Sequence, residues 1–449
     1  MASKLSRDTR PSWPRRAIVT AGMPYGNKNL HFGHVGGVFI PADFFARFLR
    51  DRLGAENVLF VSGTDCYGSP IMESYRKLRE EGYDKSIGAY VQENHDRQEA
   101  TLDAYDISCD LYAGSALEPA AHVHEQVTDE ILHRLKDAGV LNKRSTLQFY
   151  DTQAGQFLNG RQVVGHCPIQ GCKSEKAYAD ECDLGHQFEP EELIAPISQL
   201  TGTTPELRPV ENLYFDLPAY LDYLKQHVEE LECDGVTRSV VTKTMEEWLL
   251  PPVLYIQNKF REAFDAIEAE LPAHTVEEPE GNKSSFTVVF PSWQERDEAH
   301  AVLAKGGVRF RSGKALVPFR ITGNIEWGVP VDDSCGCHGL TCWVWPESLW
   351  APISFTRTAL AEAERAGKGE RYASLDWHDW WCSEDAHAYQ FIGQDNIYFY
   401  GIAQSALWKA LGCNMQQSTL VANYHVLYMG KKASSSSKTP PPPASELLE

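Results

Sequence analysis

Arg16 opens a run of small and β-branched residues, Ala-Ile-Val-Thr-Ala, that ends at Gly22. An unbroken apolar run of this kind predicts a strand buried on both faces. A loop follows from Pro24 to Asn29. From Val35 to Leu53 the apolar positions Phe39, Ala42, Phe45, Phe48 and Leu49 recur at helical spacing, which predicts a helix. Val58 to Ser62 predicts a second buried strand, closed by Gly63-Thr-Asp-Cys-Tyr-Gly. Strand, loop, helix, strand is how a doubly wound α/β sheet begins.

Further along, residues 84–140 predict two or three helices, with Val123 to Leu141 as one of them. From 142 to 235 the pattern breaks into short strands and turns, and 236–270 reads as helical again. A turn-rich stretch, Glu277 to Ser285, leads to Phe286–Phe290, a helix near Trp293–Ala304, Val308–Arg311 and Ala315–Phe319, which together predict a small βαββ insert. Trp343-Val-Trp, a helix near Phe355–Ala366, Tyr398-Phe-Tyr before a helix near Ala403–Leu411, and a strand over Ser418–Asn423 return to α/β character. A Lys/Ser stretch and a proline run end the sequence.

Composition limits the partners. Lys plus Arg number 42 and Asp plus Glu 62, a net charge of −20, which argues against a protein that coats nucleic acid non-specifically. Residues 1–60 nevertheless carry an excess of basic over acidic residues, whereas 181–235 are strongly acidic, so a polyanionic ligand would prefer the first region. No apolar run approaches the roughly 18–20 residues that span a bilayer, and the polar N-terminus lacks a secretory core. Cytoplasmic residence without membrane contact is the expectation. The 11 cysteines are then mostly reduced thiols.

Two motifs suit phosphate chemistry. Pro24-Tyr-Gly-Asn-Lys-Asn-Leu-His31-Phe-Gly-His34 lies where a strand hands over to a helix. A helix N-terminus attracts anions, Gly33 permits close backbone approach, and His31 and His34 share one face of the first turn. Near the end, Gly430-Lys-Lys-Ala-Ser-Ser-Ser-Ser-Lys438 offers Lys432 as a compact cation that can follow a phosphate. Taken singly, the first is also compatible with ordinary loop histidines and the second with a linker. A third group, Cys167-Pro-Ile-Gln-Gly-Cys172 and Cys182-Asp-Leu-Gly-His186, supplies three thiolates and an imidazole, a donor set for tetrahedral zinc. Cys335, Cys337, His338 and Cys342 are too compressed for two knuckles and read as incidental.

Together, the His-x-Gly-His and Lys-x-Ser-x-Ser motifs resemble the two hallmarks of class I aminoacyl-tRNA synthetases. Ala21-Gly-Met-Pro-Tyr-Gly-Asn is similar to Ala-Leu-Pro-Tyr-Ala-Asn of the methionyl-tRNA synthetase family, and Phe60-Val-Ser-Gly-Thr-Asp-Cys-Tyr-Gly-Ser-Pro-Ile to its Phe-Val-Cys-Gly-Thr-Asp-Glu-His-Gly-Thr-Pro-Ile. Glu211–Pro218, Arg320–Val331, Ala351–Phe355 and Tyr389–Asn396 have counterparts in the same order. The likeness runs over about 17–440 apart from an insert near 251–318.

The resemblance implies a Rossmann-like doubly wound parallel sheet split by a connective insertion with a zinc knuckle. The expected organisation is a first catalytic half at 1–120, an insertion at 121–235 with the knuckle at 166–190, a helical segment and atypical α+β insert at 236–319, a second catalytic half at 320–430, and a loop and tail at 431–449. It implies ATP with Mg2+, methionine and the tRNA acceptor end as ligands, and structural Zn2+. By family position His31, His34 and Lys432 are catalytic, and Gly33, Gly393, Asp395 and Lys432 bind ATP. Asp65 pairs with the α-amino group, and Met23, Tyr25, Trp345, Ala351, Pro352, Phe355, Asn396 and Tyr400 line the amino-acid pocket. Cys167, Cys172 and Cys182 hold zinc, with His186 standing in for a fourth cysteine.

The sequence departs from the family in several places. Pro346–Trp350 lengthens the segment before Ala351, so the pocket tryptophan is either Trp345 or Trp350. Tyr400 stands where the family has His, Asn396 replaces an aliphatic residue, and Cys66-Tyr67 replaces Glu-His. Lys432-Ala-Ser-Ser-Ser436 keeps the first lysine of the family's Lys-Met-Ser-Lys-Ser and loses the second, a loss that either slows ATP activation or is made good by Lys438. The chain stops at Glu449, before the family's anticodon-binding domain, as a fragment or a protein that reads no anticodon with its own chain would. A paralogue using another amino acid or acceptor, and an inert binding module, remain alternatives to methionine activation.

Overall fold

The structure is a computed structural model and describes residues 13–158, 160–168, 172, 174, 176–179, 190–279, 281, 284–412, 418–433 and 440–448, with Lys431 and Lys432 described by backbone alone. Contacts divide the chain into two units, Met1–Ala138 with Asp234–Val241 and Val344–Glu449, and Gly139–Cys233 with Thr242–Trp343.

The first unit is built on a five-stranded sheet. Its strands in chain order are β1 Arg16–Ala21, β2 Val58–Thr64, β3 Leu111–Gly114, β4 Ala386–Gly393 and β5 Thr419–Asn423, and across the sheet they run β5-β4-β1-β2-β3. Every pairing is parallel, with Val19 opposite both Phe60 and Tyr389. The chain adds β2 and β3 on one side of β1 and β4 and β5 on the other. That reversal opens a crevice at the carboxyl ends of β1 and β4, the place where such sheets take ligands. The longer helices are α1 Ile40–Leu53, α2 Ser69–Glu80, α3 Ile87–Ala104, α4 Ala120–Asp137, α5 Val344–Arg365 and α6 Gln404–Leu411. β1 and β2 are buried along their whole length. Ala42, Ala46 and Leu49 of α1 pack on Ala17, Val19 and Phe60; of the positions picked out by the helical spacing, Phe39, Ala42 and Leu49 are buried, Phe45 is partly buried and Phe48 is exposed.

Where the elements differ from expectation, burial explains most of it. Trp343-Val-Trp is not a strand, because Val344 starts α5, a 22-residue helix buried over most of Val344–Leu360. A helix covered on nearly all sides has no polar stripe to announce it. The stretch 84–140 contains β3 as well as helices, and α2 carries no expectation from the sequence. Tyr398–Ala403 is a π-helical turn leading into α6, and Val35–Phe39 is another leading into α1.

The second unit holds an antiparallel sheet in which Glu206–Phe215 pairs along Leu141–Asp151, and the insert. The insert runs strand Val253–Gln257, helix Arg261–Asp265, strands Thr275–Glu277 and Ser285–Val289, helix Trp293–Lys305 and strand Phe310–Ser312. Its sheet order places Val253–Gln257 between Ser285–Val289 and Phe310–Ser312, a split β-α-β-β-α-β unit. Residues 253–257 therefore form a strand within the stretch read as helical. Of Ala315–Phe319, only Phe319 is in a strand, where Phe319–Arg320 pairs with Tyr214 and Phe215.

By these contacts the first unit runs to Ala138 and resumes at Val344 after the short stretch Asp234–Val241. Helix α4 belongs to the first unit because Trp350 Nε1–H donates to Thr128 Oγ1 at 2.9 Å and Arg357 reaches Glu130 at 2.8 Å. Ile321 N–H donates to Leu213 O at 2.8 Å, which keeps the segment after 319 with the second unit. Among the described residues no helix is long and apolar enough to cross a membrane.

Candidate functional site

A cavity of about 420 Å³ lies at the carboxyl ends of β1, β2, β4 and β5, within the size range of small-molecule sites. Met23, Tyr25, His31, Gly33, His34, Asp65, Trp345, Gly393, Asp395, Asn396 and Tyr400 all line it. Residues far apart in sequence are thus brought to one place by the parallel sheet. The loop after β1 is pinned to the end of β2, with Asp65 N–H donating to Pro24 O at 2.9 Å and Gly26 N–H to Asp65 O at 2.7 Å.

At one end stand the two histidines. His31 precedes the helical run Phe32–Leu53; its Nδ1 accepts from Gly33 N–H at 3.0 Å, while His34 Nδ1 accepts from His31 N–H at 3.2 Å. An imidazole nitrogen that accepts carries no proton, so the neutral rings hold theirs on Nε2. The rings stack with centroids 3.8 Å apart. Burial, then the neighbouring His31 and Lys28, push the His34 pKa down to about 3, which keeps its ring neutral and its Nε2–H a donor. Gly33 is required for this arrangement, since a Cβ there would stand 2.8 Å from His31 Cε1.

Gly393 ends β4, and a Cβ on it would meet Asp395 Oδ1 at 2.6 Å. His425 Nε2 faces that same oxygen at 3.3 Å, and its Nδ1 accepts from Gln394 Nε2–H at 3.0 Å. Lys431–Lys432 pairs by backbone with Leu427–Tyr428, and Ala433 lines the cavity. The Lys432 side chain, Ser436 and Lys438 lie outside the described residues.

The other end carries more negative charge than the motifs alone suggest. Asp65 is 6% exposed. Ser348 Oγ lies 3.2 Å from its Oδ2 but 2.7 Å from Val344 O, and one hydroxyl proton cannot serve both. Oδ1 is buried with no hydrogen-bond partner among the described residues. Burial first, and Glu347 second, hold the Asp65 carboxyl well above its usual range. Glu347, which carries no expectation from the sequence, is fully buried beside the cavity. Its Oε2 meets His124 Nε2 at 2.7 Å, His124 Nδ1 meets Ser354 Oγ at 2.9 Å, and Oε1 has no partner among the described residues. Burial, then Asp65 and Glu347, raise the Tyr25 and Tyr400 hydroxyls. Only a helix buried on every side puts Glu347 here, and Pro346–Trp350 reads simply as a longer linker.

The structure places the two tryptophans differently. Trp345 lines the cavity and stacks on Phe399, centroids 3.7 Å apart. Trp350 is fully buried and bonded to Thr128. Ala351, Pro352 and Phe355 are also buried in α5 and do not line the cavity. Phe355 instead packs against Gly63, where a Cβ would lie 2.6 Å from its ring.

Elsewhere, Cys167 and Cys172 pack on Phe149, Leu158 and Val163 of the second unit, and Ser174 N–H points at Cys172 Sγ at 3.4 Å. Cys182 and His186 lie outside the described residues. Among the described residues no three His, Cys, Asp or Glu side chains are grouped to hold a metal.

Residues 17–256 and 288–440 match the family described as tRNA synthetases class I (M). The chain belongs to that family. Its unmatched stretch, 257–287, falls inside the insert. The chain is 28% identical over 425 residues to the methionine--tRNA ligase of Cytophaga hutchinsonii, covering 94% of this chain and 49% of the relative. With that of Christiangramia forsetii it shares 28% identity, covering 94% and 48%. The chain thus spans about half the length of these relatives. Among solved structures it resembles Mycobacterium tuberculosis methionyl-tRNA synthetase bound by methionyl-adenylate, with TM-score 0.50, 17% identity and coverage of 96% and 61%. A ternary complex of Agrobacterium radiobacter K84 LeuRS with tRNA and LeuAMS gives TM-score 0.51, 14% identity and coverage of 95% and 66%. At those identities the likeness is one of fold.

Proposed function

We propose that this chain activates methionine with ATP to methionyl-adenylate and passes the methionyl group to the 3′ end of a tRNA. The observation that carries this reading is the lining of one cavity by His31, His34, Asp65, Gly393 and Asp395. It offers neutral imidazole donors at one end and a buried carboxylate at the other. The relatives named methionine--tRNA ligase support the choice of amino acid.

A carboxylate oxygen of methionine forms a bond to the α-phosphorus of ATP. The bond from that phosphorus to the α–β bridging oxygen breaks, and its electron pair leaves with pyrophosphate. His31 and His34 donate Nε2–H to phosphoryl oxygens as charge gathers there, and Lys432 follows the departing pyrophosphate. Gly393 lets the ribose approach, with Asp395 as its hydrogen-bond acceptor. Asp65 holds the substrate ammonium, which satisfies the otherwise unpartnered Oδ1. Met23, Tyr25, Trp345, Asn396 and Tyr400 contact the side chain, and Trp345 suits a thioether. Magnesium, when bound with ATP, neutralises charge on the β- and γ-phosphates.

Zinc belongs to the second unit in this reading, with Cys167, Cys172, Cys182 and His186 as ligands. The donor set fits zinc, and an amide directed at Cys172 Sγ suits a thiolate. A bound zinc would brace the knuckle.

Pyrophosphate exchange with each of the twenty amino acids tests the proposal, and methionine should give the strongest signal. The polar walls at Tyr25, Asn396, Tyr400 and Ser348 favour a second reading, a synthetase for a more polar amino acid. A stronger signal from such an amino acid would replace methionine with it.

A further inference from the structure

The loop between β1 and the histidine pair carries a charged side chain that the chemistry above does not use. Lys28 lines the cavity together with His31, Gly33, His34 and Asp395. Its ammonium lies 5.6 Å from the centroid of the Tyr25 ring, and its charge is one of the influences that lower the proton affinity of His34. Its backbone is held from below. Gln98 is fully buried, and its Nε2 donates to Tyr25 O at 2.9 Å and to Lys28 O at 2.8 Å. Its Oε1 accepts from Thr64 Oγ1 and from Tyr112 Oη, each at 2.8 Å. All four hydrogen-bonding positions of that amide are therefore engaged, two of them on the carbonyls that flank the loop. Asn27 adds a bond from Nδ2 to Ser74 Oγ at 3.0 Å. A lysine on a solvated surface loop needs no such support, whereas a lysine whose stem must start from a fixed point beside a ligand does.

The tail motif supplies the second observation. Lys432-Ala-Ser-Ser-Ser436 has one lysine where the signature it resembles has two. A triphosphate gathers negative charge on the leaving pyrophosphate as the α-phosphoryl group transfers, and that charge is stabilised by positioned cations. We propose that Lys28 is a further catalytic residue of adenylate formation, its ammonium bound to phosphoryl oxygens beside His34. It donates hydrogen bonds as the carboxylate–phosphorus bond forms and as the bond from the α-phosphorus to the bridging oxygen breaks. The inference rests on the ATP part of the proposed function and is independent of which amino acid is used.

Binding of ATP and of adenosine, each measured by calorimetry, distinguishes a phosphate contact from a structural one. Lys28→Met should weaken ATP by about tenfold to a hundredfold, the range for loss of one charge-assisted hydrogen bond. Adenosine, which has no phosphate, should bind as it does to the wild type and so also reports that the fold is intact. Lys28→Arg should recover most of the ATP affinity, and the pyrophosphate exchange rate should follow the same order. Equal ATP affinity in the wild type and Lys28→Met would overturn the proposal, as would parallel losses for ATP and adenosine. A wild type that splits ATP from adenosine through Lys28 but gives no exchange with methionine would sink the methionine reading and leave Lys28 in place. A wild type that binds neither nucleotide would remove both.

Discussion

Replacing Asp65 by Asn should move stability and binding in opposite directions. The Asp65 carboxyl is almost fully buried, shares one hydroxyl proton with Val344 O, has an oxygen without a partner, and lies in the field of Glu347. An unsatisfied buried polar group costs about 1–3 kcal/mol. Its pKa is raised in the folded state, which fixes the sign of the pH dependence. Below the ordinary carboxylate value of about 4 both folded and unfolded chains hold the proton, and the group carries no ionic penalty. As pH rises the unfolded chain ionises first, and the folded state loses stability until its own pKa is passed. Asp65→Asn should therefore melt later than the wild type at pH 7.5, with a smaller difference at pH 4.5. It should also lose methionine, because a charge-assisted contact to the ammonium contributes about 1.5–3 kcal/mol, a factor of about 10 to 150 in affinity. Thermal unfolding by circular dichroism at the two pH values, with methionine binding by calorimetry, measures both. A variant that melts earlier at pH 7.5 and binds methionine unchanged would refute the reasoning.

Other perturbations test separate links. Gly33→Ala puts a methyl group 2.8 Å from His31 Cε1 and should cut pyrophosphate exchange about a hundredfold through ring displacement, with little change in melting temperature. Trp350→Ala should cost about 3–5 kcal/mol, as removal of a buried tryptophan does, measured by denaturant unfolding. Trp345→Ala should cost less stability and instead raise the KM for the amino acid. His34 has its pKa pushed from 6.5 to about 3, so its contribution to stability is present above pH 6.5 and is lost as pH falls toward 3. His34→Gln should accordingly lose less stability than the wild type over that window, read from melting curves at successive pH values. Cys167→Ser should lower the zinc retained per purified chain, measured by elemental analysis.

Much of the first unit was legible because its strands are buried on both faces and its first helix is not. Ala17–Ala21 and Val58–Ser62 read as unbroken apolar runs, and α1 shows a stripe, so period and burial agree. The same rule hides α5, whose buried faces leave no periodicity, and with it Glu347, which is detectable only when Asp65 and His124 are seen beside it. The histidine end of the cavity was readable from local sequence, since His31, Gly33 and His34 act on each other within a single turn. The Asp65 end was only partly readable. Trp345 and Trp350 are equivalent in sequence, and their fates separate because Trp350 finds Thr128 on α4 while Trp345 finds Phe399. Ala351, Pro352 and Phe355 carry the family's motif but sit in the core. The insert was visible as a composition of strands and a helix, yet its first strand, Val253–Gln257, lies within a stretch that reads as helix until its neighbours pair with it.

Adenylate formation requires both ends of one cavity to hold a single molecule. Calorimetric titration of a non-hydrolysable methionyl-adenylate analogue into the wild type, His34→Gln and Asp65→Asn measures this most directly. The analogue should bind the wild type more tightly than methionine or adenosine alone, and each substitution should weaken it while leaving binding of the half at the other end unchanged. An analogue that binds no more tightly than its separate halves, or that is indifferent to both substitutions, would contradict the account.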